Sequence, residues 1–211
     1  MTVHFTSDLH LGHAKVAQIR WDRFSNQPGQ PSIETVIKWH DATIARNWAN
    51  SVLKDDHVIV VGDISGGSKG KQELALTLID SLPGTKFLIS GNHDSTHPMH
   101  HREATKAKRR YLEVFEDVDT VGYRHLKWEG GDAKCLISHF PYTGDREGLA
   151  TPRYQEFRLQ DHGHYLIHGH THNMTGFVDR ELHVGVDAHQ MQLVPLEQIV
   201  SYVQDREQVA A

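Results

Sequence analysis

Five short polar runs constrain this chain more than any other feature, because each follows a block of β-type apolar residues with at most two residues between. Asp8-Leu9-His10 follows Val3 to Phe5, and Gly62-Asp63 follows Val58 to Val61. Gly91-Asn92-His93-Asp94 follows Phe87 to Ile89, His139 comes just after Leu136 to Ile137, and Gly169-His170-Thr171-His172 comes just after Tyr165 to Ile167. Short apolar blocks bounded by turn residues read as buried strands. The carboxyl ends of such strands form the edge of an α/β sheet where ligands collect. Runs far apart in sequence thereby become neighbours in space. Together they offer seven oxygen and nitrogen donors, Asp8, His10, Asp63, Asn92, His139, His170 and His172, and that set reads as a dinuclear metal site.

Between the blocks the pattern alternates strand and helix, which favours an α/β chain. Ile33, Val36, Ile37, Trp39, Ile44, Trp48 and Val52 recur mainly at three- and four-residue intervals. This predicts a helix over Ile33 to Leu53 capped by Ser32. Further helices are expected over Gln72 to Ser81, ended by Pro83-Gly84, and over Thr105 to Val114. Val121 to Trp128 and Ala133 to Ser138 read as a hairpin, and Thr175 to Val178 with Leu182 to Val186 as a second. The tail after Pro195 reads as a helix with that proline in its first turn. The 211 residues are expected to form one domain, since the chain is short for two independent cores.

The five blocks in this order resemble the signature of the calcineurin-like metallophosphoesterases, D-x-H, G-D, G-N-H-D/E, H and G-H-x-H. The wording Thr6-Ser7-Asp8-Leu9-His10-Leu11-Gly12-His13 is similar to the compact bacterial and phage branch. The resemblance runs from Asp8 to His172 and implies an α/β/β/α sandwich, two sheets flanked by helices with two metals at one edge. It implies Asp63 as the bridging carboxylate, with Asp8, His10 and His172 completing one metal position and Asn92, His139 and His170 the other. A carboxylate, amide and imidazole set suits borderline cations such as manganese, iron or zinc better than a thiolate site would; manganese is the expected ion, with iron, zinc or nickel as alternatives. Two metals about 3.5–4 Å apart can share one hydroxide and clamp phosphoryl oxygens. By the same resemblance His93 is the acid for the leaving group, and Asp94 is expected to orient the His93 ring and favour its charged form.

Other residues keep two readings. His13 can bind substrate or support the ligands from the start of the first helix, or stand at the surface. Arg20 and Arg23 can hold phosphate bidentately or be surface arginines. His168 reads as a structural hydrogen-bonding residue, and Gly62, Gly91 and Gly169 as allowing tight backbone beside the metals. Lys106 to Arg110 reads as a solvated helix face rather than a nucleic-acid contact. With 18 histidines in the chain, single ones such as His57, His125 and His183 are set aside.

The expected activity is hydrolysis of small or cyclic nucleotide-type phosphodiesters. Alternatives are a phosphomonoesterase, a nuclease on longer nucleic acid, or a protein-binding scaffold, though scaffolds usually lose donors and none is missing here. The net charge of −5 disfavours long polyanions and a membrane surface. The lone cysteine, Cys135, sits in an apolar run and excludes an internal disulfide, so a reducing cytoplasm is expected. No apolar run approaches the ~20 residues of a membrane span, and nothing near Met1 reads as a signal peptide. Only 44 residues separate Asp94 from His139, and 30 separate His139 from His170, so no separate cap is expected over the crevice.

Overall fold

The structure, a computed structural model, describes residues 1–27, 29–145 and 153–210. In chain order the elements are β1 (Val3–Thr6), α1 (Ala14–Phe24), α2 (Ile33–Ser51), β2 (His57–Val60), α3 (Lys69–Asp80) and β3 (Thr85–Ile89). Then come α4 (Arg102–Tyr111), β4 (Asp117–Asp119), β5 (Val121–Trp128), β6 (Gly131–Ser138), β7 (Tyr165–His168), β8 (Phe177–Val178), β9 (Glu181–His183), β10 (Val194–Pro195) and α5 (Leu196–Ala210).

The strands form two five-stranded sheets, ordered β10-β1-β2-β3-β4 and β5-β6-β7-β9-β8. Strands β1 to β4 run parallel, and β10 lies antiparallel against β1. A parallel sheet is covered on both faces, and its strands show it. In β2, Val58 and Val60 enter one core with Trp48, Leu76 and Phe115 from the helical side. Ile59 and Val61 turn the other way, into a second core with Phe5, Ile89, Leu126, Ile137, Ile167 and, from α5, Ile199 and Val203. The chain is therefore a mixed α/β fold of two sheets flanked by helices.

Ser32 caps α2 by accepting from the Thr35 amide, as its position predicts. The helices expected over Gln72 to Ser81 and Thr105 to Val114 each begin three residues earlier, at Lys69 and Arg102. Both hairpins form. Pro195 is a correction: it pairs with His4 as part of β10, and α5 starts at Leu196. Proline fits an edge strand because it has no amide hydrogen to offer the ladder. No helix among the described residues is long and apolar enough to cross a membrane.

The donor runs come from both sheets. Three follow β1, β2 and β3, and two follow β6 and β7. The sheets are tied together at this edge by a parallel bridge between Ser7 and Gly185, with the Val186 amide donating to the Ser7 carbonyl at 3.2 Å.

Candidate metal centre

All seven donor residues converge at the joined edge. Asp63 is central. Its Oδ2 lies 3.6 Å from His10 Nε2 on one side and 3.5 Å from His139 Nε2 on the other. Beside His10 stand His172, with the two Nε2 atoms 3.0 Å apart, and Asp8, whose Oδ1 is 3.8 Å from His172 Nε2. Beside His139 stands Asn92, whose Oδ1 lies 3.2 Å from His139 Nε2 and 3.0 Å from His170 Nδ1. Asp8, His10 and His172 form one group of donors within 4.8 Å of one another, and Asp8, Asp63 and His139 form another. Asp8 thus reaches both groups, where the family resemblance implies a place in one.

The backbone at these residues is unusual. Asp8, His10, Asp63, His170 and His172 have φ of 57°, 47°, 57°, 71° and 55°. Left-handed backbone at a residue with a Cβ costs on the order of 1–3 kcal/mol and clusters at functional sites. Aspartate and histidine tolerate it better than branched residues do. Glycine makes the turns fit: Gly62 has φ 87°, and a Cβ there would strike the His139 ring and the Gly91 backbone. At Gly169 close approach is the reason, because a Cβ would collide with Ser7 Oγ and Asp8 Oδ2.

The electrostatics fit a cation. Burial raises the Asp63 carboxyl, but His139 and His10 overcome that and hold it well below the usual carboxylate range. Burial lowers His139, yet Asp63 and Asp8 push it up to about 9. A field that retains a proton at that ring equally attracts a metal ion. Burial keeps His10 neutral and takes His170 down to about 4, leaving lone pairs free for ligation. His139 Nδ1 donates to the Val61 carbonyl at 2.8 Å, which turns Nε2 toward Asn92 and Asp63, where a metal ion would take the place of its proton.

Two assignments change. Asp94 does not orient His93. It is fully buried and accepts from the amides of Asp63 at 2.8 Å, Ile64 at 3.0 Å and Gly91 at 2.8 Å, fastening the β2 and β3 loops together. Burial and the Asp63 carboxylate push it up to about 7. Arg20 is neither a phosphate ligand nor a surface residue. It is fully buried and donates to the Asp8 carbonyl at 2.7 Å, the Leu9 carbonyl at 3.0 Å, and both oxygens of Asp187 at 3.0 and 2.6 Å.

The remaining residues take simpler places. His93, with 43% of its side chain exposed, hangs over the site with Nε2 4.0 Å from Asp63 Oδ2, and its amide donates to Asp63 Oδ1 at 2.8 Å. His13 caps α1 by accepting from the Val16 amide, and its ring centre is 5.6 Å from that of His10. His168 is buried, donates from Nδ1 to the Gly169 carbonyl at 2.9 Å and stacks on His183. In the basic run of α4, Lys106 pairs with Glu103, and Arg110 with Glu73 and Glu113.

Two supporting carboxylates escape a reading by runs. Asp187 accepts from His172 Nδ1 at 2.9 Å, and Asp145 Oδ1 stands 3.2 Å from His170 Nε2 while pairing with Arg153 and Arg158. Asp187 had a signal, since Gly185-Val186-Asp187 is one more polar ending after an apolar block. Asp145 had none.

Fold and site together define a metallophosphoesterase. Residues 1–174 match the calcineurin-like phosphoesterase family, and the chain belongs to it; metal-dependent hydrolysis of phosphoesters is the chemistry of that class. The chain is 42% identical over 191 residues to the Gene 66 protein of Mycobacterium phage L5, covering 87% of this chain and 86% of that one. It is 40% identical to the Gene 66 protein of Mycobacterium phage D29, covering 98% of each. Among solved structures, a protein of unknown function from Aquifex aeolicus, AQ665, matches with a TM-score of 0.64 at 22% identity, over 95% of this chain and 98% of that one. That likeness concerns the fold.

Proposed function

We propose that the protein hydrolyses small phosphodiesters, including cyclic nucleotides, with two metal ions held about Asp63, manganese being the preferred ion and iron, zinc or nickel the alternatives. The observation that carries this is the position of Asp63 Oδ2, 3.6 Å from His10 Nε2 in one group and 3.5 Å from His139 Nε2 in the other. Asp8, His10 and His172 would hold one ion with Asp63, and Asn92, His139 and His170 the second. When bound, such a pair polarises phosphoryl oxygens and lowers the pKa of water. Cys135, buried and unpaired, fits a reducing cytoplasm.

The chain's own residues supply the rest. His172 is kept in register by Asp187, and His139 by the Val61 carbonyl, so neither ring must reorient when substrate arrives. His93 stands free of Asp94 at the crevice and would give its proton to the departing alkoxide oxygen. A proton donor matters most for a poor leaving group, so His93→Ala should slow an alkyl ester by about 10²–10⁴-fold and a nitrophenyl ester much less. Equal losses on both esters would assign His93 to phosphate positioning.

The diester preference rests on the shape of the crevice, about 840 Å³ and lined by His10, Asp63, Asn92, His93, His170 and His172 among others. An open site leaves room for two ester substituents. The test is a hydrolysis screen with manganese, nickel, zinc and magnesium. Bis-nitrophenyl phosphate and some 2′,3′-cyclic nucleotides should be turned over faster than nitrophenyl phosphate, with manganese giving the highest rates. A kcat/KM about tenfold higher on the monoester, in metal-replete protein, would make the enzyme a phosphatase.

A further inference from the structure

The crevice continues past the metal donors along α1. Lys15, Val16, Ile19 and Arg23 line it, and steps of one, four and eight residues from Lys15 bring them to one side of the helix. Met174, two residues beyond His172, lines it as well. Ile19 and Met174 are 43% and 48% exposed, large apolar side chains left facing a polar crevice. Apolar surface rimmed by polar groups in a cleft marks a place where a ligand binds.

The rim is cationic. Arg23 carries its Nη1 3.2 Å from Met174 Sδ and 3.9 Å from Asp187 Oδ1. The Asp187 charge is already matched by the bidentate Arg20, so the Arg23 charge remains available to the crevice. Lys15 stands exposed at the first turn of the same helix. Two cations in one arm of a crevice, within a chain of net charge −5, point to a specific anion rather than a general field. The apolar strip between them is made of Val16, Ile19 and Met174.

We propose that this arm is a binding subsite for a nucleoside carrying a second phosphate, the base against Ile19 and Met174 and the phosphate on Lys15 and Arg23. The substrate class, resting on the phosphodiester reading above, is a terminally phosphorylated dinucleotide or similar short oligonucleotide. The phosphate at the metal donors and the phosphate on α1 are then both held, while the nucleoside spans the distance between them.

Calorimetric titration of the manganese-loaded protein tests the subsite by binding alone, with adenosine 3′,5′-bisphosphate and adenosine 5′-monophosphate as probes. The bisphosphate should bind about tenfold more tightly, since one phosphate held by lysine and arginine supplies roughly 1.4 kcal/mol. In the double variant Lys15→Gln, Arg23→Gln that advantage should fall to about twofold or less, while Ile19→Asp should weaken both nucleotides. Metal content and melting temperature of each variant establish that the fold persists. Equal affinities for the two nucleotides in the wild type, or a full advantage retained by the folded double variant, would overturn the subsite. Hydrolysis of a 5′-phosphorylated dinucleotide is the separate arm. If the binding advantage holds but no diester is cleaved, the subsite stands and the phosphodiester reading, with its substrate class, falls.

Discussion

Asp63→Asn is expected to lower kcat/KM by about a thousandfold or more, a loss of roughly 4 kcal/mol in transition-state stabilisation, and to lower bound metal in step. The substituted amide keeps the size of the side chain but removes the charge that both groups of ring nitrogens face. It also removes the principal reason why His139 is pushed up to about 9, and so weakens the field that draws a cation to this edge. The fold should persist, because Asp63 lies outside both hydrophobic cores. Elemental analysis and activity measured on one preparation check the expectation. Near-normal turnover with two metals still bound per chain would remove Asp63 from the bridging position.

Arg20→Ala should be the most damaging single change away from the donors. Arg20 joins the Asp8 and Leu9 carbonyls on the β1 loop to Asp187, which in turn fixes His172. Burial by itself raises the Asp187 carboxyl, and Arg20 with His172 holds it well below the usual range. Without the guanidinium a buried carboxylate loses its main partner, a change that costs about 3–5 kcal/mol. In a chain of this size that corresponds to a fall of roughly 10 °C in melting temperature. The double change Arg20→Met, Asp187→Leu should recover much of the stability, since an apolar pair replaces an ion pair at little cost. It should not recover metal affinity, because His172 Nδ1 then has no carboxylate to fix the ring, and loss of such a partner weakens binding about 10–100-fold. Thermal denaturation and metal titration separate the two effects. An Arg20→Ala protein that melts with the wild type would show the link to be dispensable.

That the seven residues gather at one edge was legible in the sequence because strand-end chemistry is local: an apolar block predicts the strand, and a polar residue after it predicts where its side chain emerges. For the same reason Ser32 and the hairpin turns could be read directly. Chemistry that depends on neighbours distant in the chain could not. Asp94 adjoins His93 in sequence, yet successive residues in a turn point apart, and its carboxylate serves three amides of the β2 and β3 loops instead. Arg20 sits on a helix where an exposed arginine is the ordinary expectation. Only the bridge from Ser7 to Gly185, which brings Asp187 across from the second sheet, gives that charge a buried partner. The sequence by itself determined the class of fold and which residues gather at the strand ends. The tertiary structure decided what holds those donors in place, because an ion pair between residues 20 and 187 is set by how two sheets meet, and no local pattern records that.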